Sequence, residues 1–168
     1  AYGLADVVNQ RRMIDEGEAA DDFKRLQRAK LDALLALAEA HDCRRVRLLA
    51  YFDENSEACG NCDHCLQPPA VWDGTEVARK ALRCIYRFHQ HDGFGFGAGH
   101  LIDVLRGQRT EKVLQRGHER LSTFGIGADT AEQPWRGVLR QLIALGHVRT
   151  EGEFNVLALN ESARAVLR

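Results

Sequence analysis

The chain has 168 residues, 45% of them hydrophobic and 28% charged, with a formal net charge of −1. That is enough for one large or two small domains with a buried core, and no apolar run approaches the roughly 20 residues a membrane span needs. Residues 1–74 carry 9 Lys/Arg against 14 Asp/Glu, while the remainder carries 14 against 10 and five of the seven histidines. The modestly basic second half hints at a polyanionic partner.

The opening "AYGLADVV" lacks Met and a basic-then-apolar signal segment, and it reads as cut from a longer polypeptide. From Asp21 to about Ala40, Phe23, Leu26, Leu31, Leu34, Leu35, Leu37 and Ala38 recur at three- and four-residue steps, which predicts an amphipathic helix. Asp42 is a candidate N-cap for a second helix over about Cys43–Phe52, burying Val46, Leu49 and Phe52. After the acidic "DENSEA" come the cysteines, and "QPPAVWDG" (67–74) reads as a linker.

Beyond the linker, a helix from Thr75 to about Gln90 should turn Val77, Ala81, Leu82, Ile85 and Phe88 inward. "GFGFGAG" has some look of a phosphate loop, but no Lys-Ser/Thr follows it, so a flexible turn into a short strand and helix is favoured. "HLIDVLRG" is a short helix closed by Gly107, and residues 108–124 are irregularly helical up to "FGIGAD". "AEQPWRGVLRQLIALGH" is an amphipathic helix with Pro134 in its first turn and Val138, Leu142 and Leu145 on one face. Two short strands follow around Glu151-Gly152-Glu153, an acidic tip without an aromatic, and a final helix starts near Asn160. Helix, short strand, helix, helix and β-hairpin is the order of a winged helix. The expected fold class is mainly α with small β: a helical zinc-binding subdomain over 1–72, then a winged helix over 73–168.

The five cysteines are Cys43, Cys59, Cys62, Cys65 and Cys84; an odd, clustered set argues for metal-bound thiolates in a reducing cytoplasm rather than a disulfide framework. "CGNCDHC" contains two overlapping Cys-x-x-Cys turns and supplies three ligands for a tetrahedral zinc. The fourth could be Cys43, Cys84, His64 or His41. Cys43 is favoured, because it opens the helix leading into the cluster, whereas Cys84 falls among apolar helix residues. An iron–sulfur cluster is the rival, weakened because the position four after Cys65 is Pro69 rather than Cys.

Arg106, Arg109, Lys112, Arg116 and Arg120, with Ser122, Thr123, Gly125 and Gly127 after them, form a candidate phosphate-binding stretch. Arg136 and Arg140 would share a face of the candidate recognition helix. No Walker-type loop, Ser-His-Asp order or His-Glu-x-x-His is present, so no catalytic residue is expected here.

"CRRVRLLAYFDE…CGNCDHCLQPP", "DGTEVARKAL", "FGAGHLIDVLRG", "GHERLSTFGIG" and "WRGVLRQLIALGHV" together resemble the zinc-binding and winged-helix region of bacterial RecQ-type DNA helicases, over nearly the whole chain. "AYGLADVVNQRRMI" resembles the last strand and helix of the second helicase lobe. The resemblance implies four zinc ligands at Cys43, Cys59, Cys62 and Cys65, and a winged helix that holds duplex, forked or structured DNA beside a 3′–5′ motor. It also implies that ATP and Mg2+ belong to motor lobes upstream, so that this piece alone should be inactive. The implied partners are those lobes and DNA, with a single-strand-binding protein as a further candidate; the implied location is the cytoplasm, at the nucleoid. Many relatives carry a basic residue after "FGIG", where this chain has Ala128-Asp129. The alternative from a different class is a protein-docking winged helix with a structural zinc.

Overall fold

The computed structural model describes residues 2–152 and 154–167. The chain divides into two compact units, Asn9–Asp73 and Gly74–Arg168, and the first eight residues group with the latter.

The unit Asn9–Asp73 is helical. It holds most of α1 (Leu4–Glu16), then α2 (Asp21–Glu39), α3 (Arg44–Ala50) and α4 (Asp63–Leu66). Ion pairs Arg11–Asp32 at 2.7 Å and Arg28–Asp15 at 2.6 Å fix α1 and α2 as antiparallel, because the lower-numbered partner on one helix meets the higher on the other. Neither a strand nor a strand pairing occurs at Tyr2-Gly3, and Ala1 lies outside the described residues.

The expected apolar stripe of α2 is present in sequence but mostly uncovered. Leu35 alone of its members is buried, while Phe23, Leu26 and Leu34 are exposed. The reason is the thinness of the unit: two short helices cannot cover a 19-residue helix. The α3 expectation also needs correcting. Asp42 does not cap it; its carboxylate receives two hydrogen bonds from Arg47, and Cys43 occupies the cap position. Val46 and Leu49 are half-buried, and Phe52 is exposed.

The unit Gly74–Arg168 is a winged helix built on α5 (Thr75–Asp92), α6 (Ala98–Leu105) and α8 (Glu132–Ala144). Each packs on the other two. α5 turns Ala81, Leu82, Cys84, Ile85 and Phe88 inward as its periodicity requires, and Gly93, at φ 80°, ends it. Between α6 and α8 lie α7 (Glu111–Arg116), capped by Thr110, and a 3₁₀ turn at His118–Arg120. The wing is an antiparallel pair, β1 (Val148–Glu151) with β2 (Val156–Leu159), registered from Val148↔Leu159 to Glu151↔Val156. α9 (Ala163–Leu167) closes the fold on α5, beginning three residues later than expected from Asn160.

Three details depart from the sequence reading. No short strand forms at "GFGFG"; the segment instead gives one backbone bond, Leu157 N–H to Phe96 O at 2.9 Å. A Cβ on Gly95 would stand 2.2 Å from Leu157 O, so only glycine lets the backbone come this close to β2. Leu145 caps α8 and is exposed rather than lining its inner face. The wing's turn spans residues 152–155, so its tip does hold an aromatic: Phe154 is 87% exposed, and Glu153 lies outside the described residues.

Buried Trp135, which no periodicity argument singled out, is the largest core side chain. Its Nε1–H donates to Gly127 O at 3.3 Å, and its ring lies where a Cβ on Gly127 would be. The "FGIGA" turn closes the end of α6, with Gly125 N–H on Val104 O and Gly127 N–H on Leu105 O, both at 2.8 Å. Among the described residues no helix is long and apolar enough to cross a membrane.

Candidate metal centre and nucleic-acid surface

The helix leading into the knuckle brings Cys43 to the three cysteines behind it. The Cys43, Cys59, Cys62 and Cys65 sulfurs all lie within 4.8 Å of one another. Cys43 Sγ stands 3.6 Å from Cys59 Sγ and 4.0 Å from Cys62 Sγ, and Cys59 Sγ is 4.0 Å from Cys65 Sγ. A zinc ion with four thiolates at about 2.3 Å has sulfur–sulfur edges of about 3.8 Å. The donor set therefore fits one soft tetrahedral ion. In a multi-iron cluster the four thiolates would be divided among two or four irons, with the cluster standing between them, and sulfurs all within 4.8 Å of one another do not leave room for that.

The surroundings suit thiolates. Backbone N–H groups of Cys59, 3.3 Å from Cys43 Sγ, and of Val46 pull the Cys43 thiol down to about 6. The backbone at Arg44 likewise lowers Cys62. Cys65 is pushed up to about 11, first by its hydrogen bond with Cys62 and then by desolvation: four adjacent sulfurs share their protons until a cation replaces them.

Arg44 fastens this knuckle to α2. Its Nε donates to both Asp63 oxygens at 2.8 and 2.9 Å, and one terminal nitrogen donates to Leu37 O at 2.9 Å. The other meets His64 Nε2 at 3.0 Å, while His64 Nδ1 lies 3.0 Å from Asp42 O. Both ring nitrogens of His64 are thus engaged away from the sulfurs. Cys84 is fully buried on α5, where burial pushes its thiol up to about 12, and it stands apart from the cluster.

The cationic residues fare unevenly. Lys112 and Arg116, one turn apart on α7, lie over one aromatic platform. Lys112 Nζ is 5.7 Å from the Phe96 centroid, and the Arg116 guanidinium is 5.5 Å from Phe94 and 5.7 Å from Phe96. Both are exposed, as are Arg109, Arg120 and Ser122. Arg106, at the end of α6, is half-buried, and its Nε is shielded without a hydrogen-bond partner.

The rest of the expected set is not offered to solvent in the same way. Arg136 makes two hydrogen bonds to Glu132 at 2.9 and 2.7 Å, and Arg140 lies 5.3 Å from the Tyr2 ring centroid. The Glu132–Arg136 pair has the i,i+4 spacing from which it could have been read. Thr123 is 4% exposed, so its side chain does not reach the surface. Gly125 and Gly127 donate their N–H groups to α6, which removes them as phosphate donors. Asp129, two residues beyond "FGIG", lies 3.9 Å from Lys80.

One polar cluster carried no sequence signal. His118 Nε2 is 2.6 Å from Asp92 Oδ2, His118 Nδ1 is 2.7 Å from His100 Nε2, and His91 Nδ1 is 3.2 Å from Asp92 Oδ2. Adjacent His91-Asp92, His100 and His118 come from three separate elements, and a lone histidine has no periodicity.

Comparison with known proteins agrees with this architecture. The family model described as the RQC domain matches residues 68–168, and the one described as RecQ zinc-binding matches residues 4–66. The chain is 43% identical over 86% of its length to the ATP-dependent DNA helicase RecQ of Haemophilus influenzae and 41% identical over 86% to that of Pasteurella multocida, covering 23% of each. It is 30% identical over 99% of its length to the RecQ of Bacillus subtilis, covering 28% of it. The chain thus spans about a quarter of the length of the curated relatives it matches. With a zinc-binding-type helical unit followed by an RQC winged helix, it belongs to the RecQ family and corresponds to the C-terminal region of those helicases.

Proposed function

We propose that this chain is the DNA-binding module of a RecQ-like 3′–5′ DNA helicase, with residues 1–72 ending the motor and forming a zinc platform and residues 73–168 holding duplex DNA at the fork. Cys43, Cys59, Cys62 and Cys65 hold the ion. The zinc supplies no reaction; as a closed four-thiolate site it contributes folding energy. That role matters because Leu35 and Cys43 are the only apolar side chains buried in that unit among the described residues. ATP and Mg2+ act in upstream lobes, which with DNA are the module's main partners; a single-strand-binding protein is a further one, and the setting is the cytoplasmic nucleoid.

The observation carrying the DNA reading is the pair of exposed cations, Lys112 and Arg116, held on the Phe94–Phe96 platform beside exposed Arg109. A cation stacked on a ring keeps its charge while giving up part of its rotamer freedom in advance, so less is lost on meeting a phosphate. Contacts of this kind position a duplex without reading sequence. Arg106, Arg120 and Ser122 extend the same surface, while Arg136 and Arg140 contribute less because of their internal partners.

Salt titration of duplex binding tests this. With three or four phosphates neutralised, log K should fall against log salt with a slope near −3, at about −0.9 per phosphate. Lys112→Ala with Arg116→Ala should flatten that slope by about 2 and weaken all sequences alike. Arg136→Ala with Arg140→Ala should do less, and Arg11→Ala with Arg12→Ala least. A salt-independent affinity would overturn the phosphate reading in favour of a protein-docking winged helix.

A further inference from the structure

Behind the α7 platform, the end of α5 and the 3₁₀ turn meet in a second donor set that is separate from the cysteines. His91 Nδ1, an Asp92 carboxylate oxygen and His118 Nε2 lie within 4.8 Å of one another. We propose that His91, Asp92 and His118 form a second metal site, for a borderline divalent transition ion such as zinc, that fastens the C-terminus of α5 to the 3₁₀ turn.

Two imidazoles and one carboxylate are a ligand set that zinc accepts, with a fourth position left for water. Ligands at about 2.0–2.1 Å in a tetrahedron stand about 3.4 Å apart. His91 Nδ1 and Asp92 Oδ2 are already 3.2 Å apart, and His118 Nε2 and Asp92 Oδ2, at 2.6 Å, would separate by roughly 0.8 Å. The ligands are held by the backbone as well. His91 and Asp92 are consecutive in the last turn before Gly93, and His118 follows Gly117, at φ 70°. Exposure is graded across the site, with the His118 side chain 0% exposed, Asp92 11% and His91 44%. The solvent side is therefore that of His91, where an ion would enter and a water could complete its shell.

The outer contact of His118 supports the same reading. A metal-binding histidine is usually fixed through its second nitrogen, and His118 Nδ1 meets buried His100 Nε2 at 2.7 Å. Without an ion, His118 donates Nε2–H to the Asp92 carboxylate and accepts at Nδ1 from His100. With Nε2 on a metal, the His118 proton sits on Nδ1 and points to His100 Nε2, so both rings exchange tautomers without any change in net protonation. His100 Nδ1 is buried without a partner and is free to take the shifted proton. Lys112 and Arg116, which act electrostatically on His100, oppose a further cation, so this site should be weaker than the cysteine site.

The test is equilibrium dialysis of the full chain, its cysteine site zinc-loaded, against buffered zinc chloride. The wild type should take up a second equivalent, and His91→Ala should weaken that uptake at least tenfold while keeping the first. His91 is exposed enough for the variant to fold, and Asp92→Asn should also lose the second equivalent. Long-range proton–nitrogen spectra should show the proton of the His118 ring moving from Nε2 to Nδ1 as zinc is added. Failure of the wild type to exceed one equivalent, uptake by His91→Ala equal to wild type, or unchanged His118 nitrogen shifts at saturation would each overturn the site.

Discussion

Gly127→Ala is the substitution on which the packing account of the winged helix stands most exposed. Gly127 does not have a positive φ, so its backbone accepts alanine, and loss of unfolded-chain freedom alone would stabilise the variant by about 0.4–1 kcal/mol. The opposing effect is steric. The new Cβ would lie 2.2 Å from Trp135 Cζ2, 3.1 Å from Cε2 and 3.2 Å from Cη2. Carbon atoms rest at about 3.5–4.0 Å, so the indole must retreat by more than about 1 Å. It has nowhere to retreat, being 0% exposed. Overpacking costs about 1–3 kcal/mol, and losing the Nε1–H bond to Gly127 O adds about 1. Net destabilisation should be about 1–3.5 kcal/mol, which for a unit of this size lowers Tm by roughly 5–25 °C.

Intrinsic fluorescence reads this directly. Of the two tryptophans, Trp72 is 55% exposed and gives a constant red background, so the blue component and its loss on heating report Trp135. In a Trp135→Phe background, itself destabilised by a cavity, Gly127→Ala should add little, because the smaller ring leaves room for a methyl group. A neutral or stabilised Gly127→Ala, or full additivity with Trp135→Phe, would refute the placement of the indole over Gly127.

Further outcomes can be measured in parallel. Metal analysis should find a tight equivalent of zinc that Cys59→Ser or Cys62→Ser abolishes and Cys84→Ser retains; loss of zinc on Cys84→Ser alone would overturn the ligand assignment. Arg44→Ala removes the clamp between Leu37 O and Asp63, and should weaken zinc in chelator competition by about 10–100-fold, as loss of a supporting contact does. Asp103, in the last turn of α6, has its carboxyl held above the usual range first by desolvation and then by Glu132. A raised acid favours the folded state only as pH falls, so ionised Asp103 is a liability at neutral pH. Asp103→Asn should therefore stabilise the chain near pH 7, by about 0.3–1 kcal/mol from the helix-end charge, and the gain should vanish below the carboxylate range in pH-dependent melts. The chain alone should hydrolyse no ATP, and turnover that survives repurification would show a nucleotide site not identified in the sequence.

What could be read from sequence followed from how local the cause was. The cysteine knuckle was legible because the metal's geometry demands a short, fixed spacing, and Cys43 was reachable from its place at the head of α3. α5 was legible because its inward residues meet α6 and α8, so periodicity and burial coincide. The α2 periodicity is as strong, yet Phe23, Leu26 and Leu34 are exposed, because burial depends on whether another layer exists to cover them. For the candidate phosphate-binding stretch, what could be read was charge and its local pairing. Charge is written in the sequence, and so is the i,i+4 pairing of Arg136 with Glu132, but the inward turn of Thr123 is not. The Asp92–His118–His100 chain and Trp135 over Gly127 join distant positions, which no local rule connects.

The contrast between the two units has a physical consequence for how the module works. The winged helix, grouped with the first eight residues, carries its own apolar core, from Phe88 through Leu101 to Trp135. The cysteine unit buries almost no apolar surface, so under the proposed zinc site its order would depend on the bond between the ion and four thiolates together with the Arg44 clamp. Chelation should therefore unfold the first while the Trp135 environment of the second persists, since few apolar contacts in the first can substitute for the metal. The α7 platform belongs to the unit with that apolar core. Its cations are fixed by Phe94 and Phe96, and Phe96 packs against Phe88 with ring centroids 5.0 Å apart. The rigid support for the proposed phosphate contact thus reaches from the exposed guanidinium of Arg116 into the hydrophobic core through two aromatic layers, and removal of zinc should leave the local geometry of that surface unchanged.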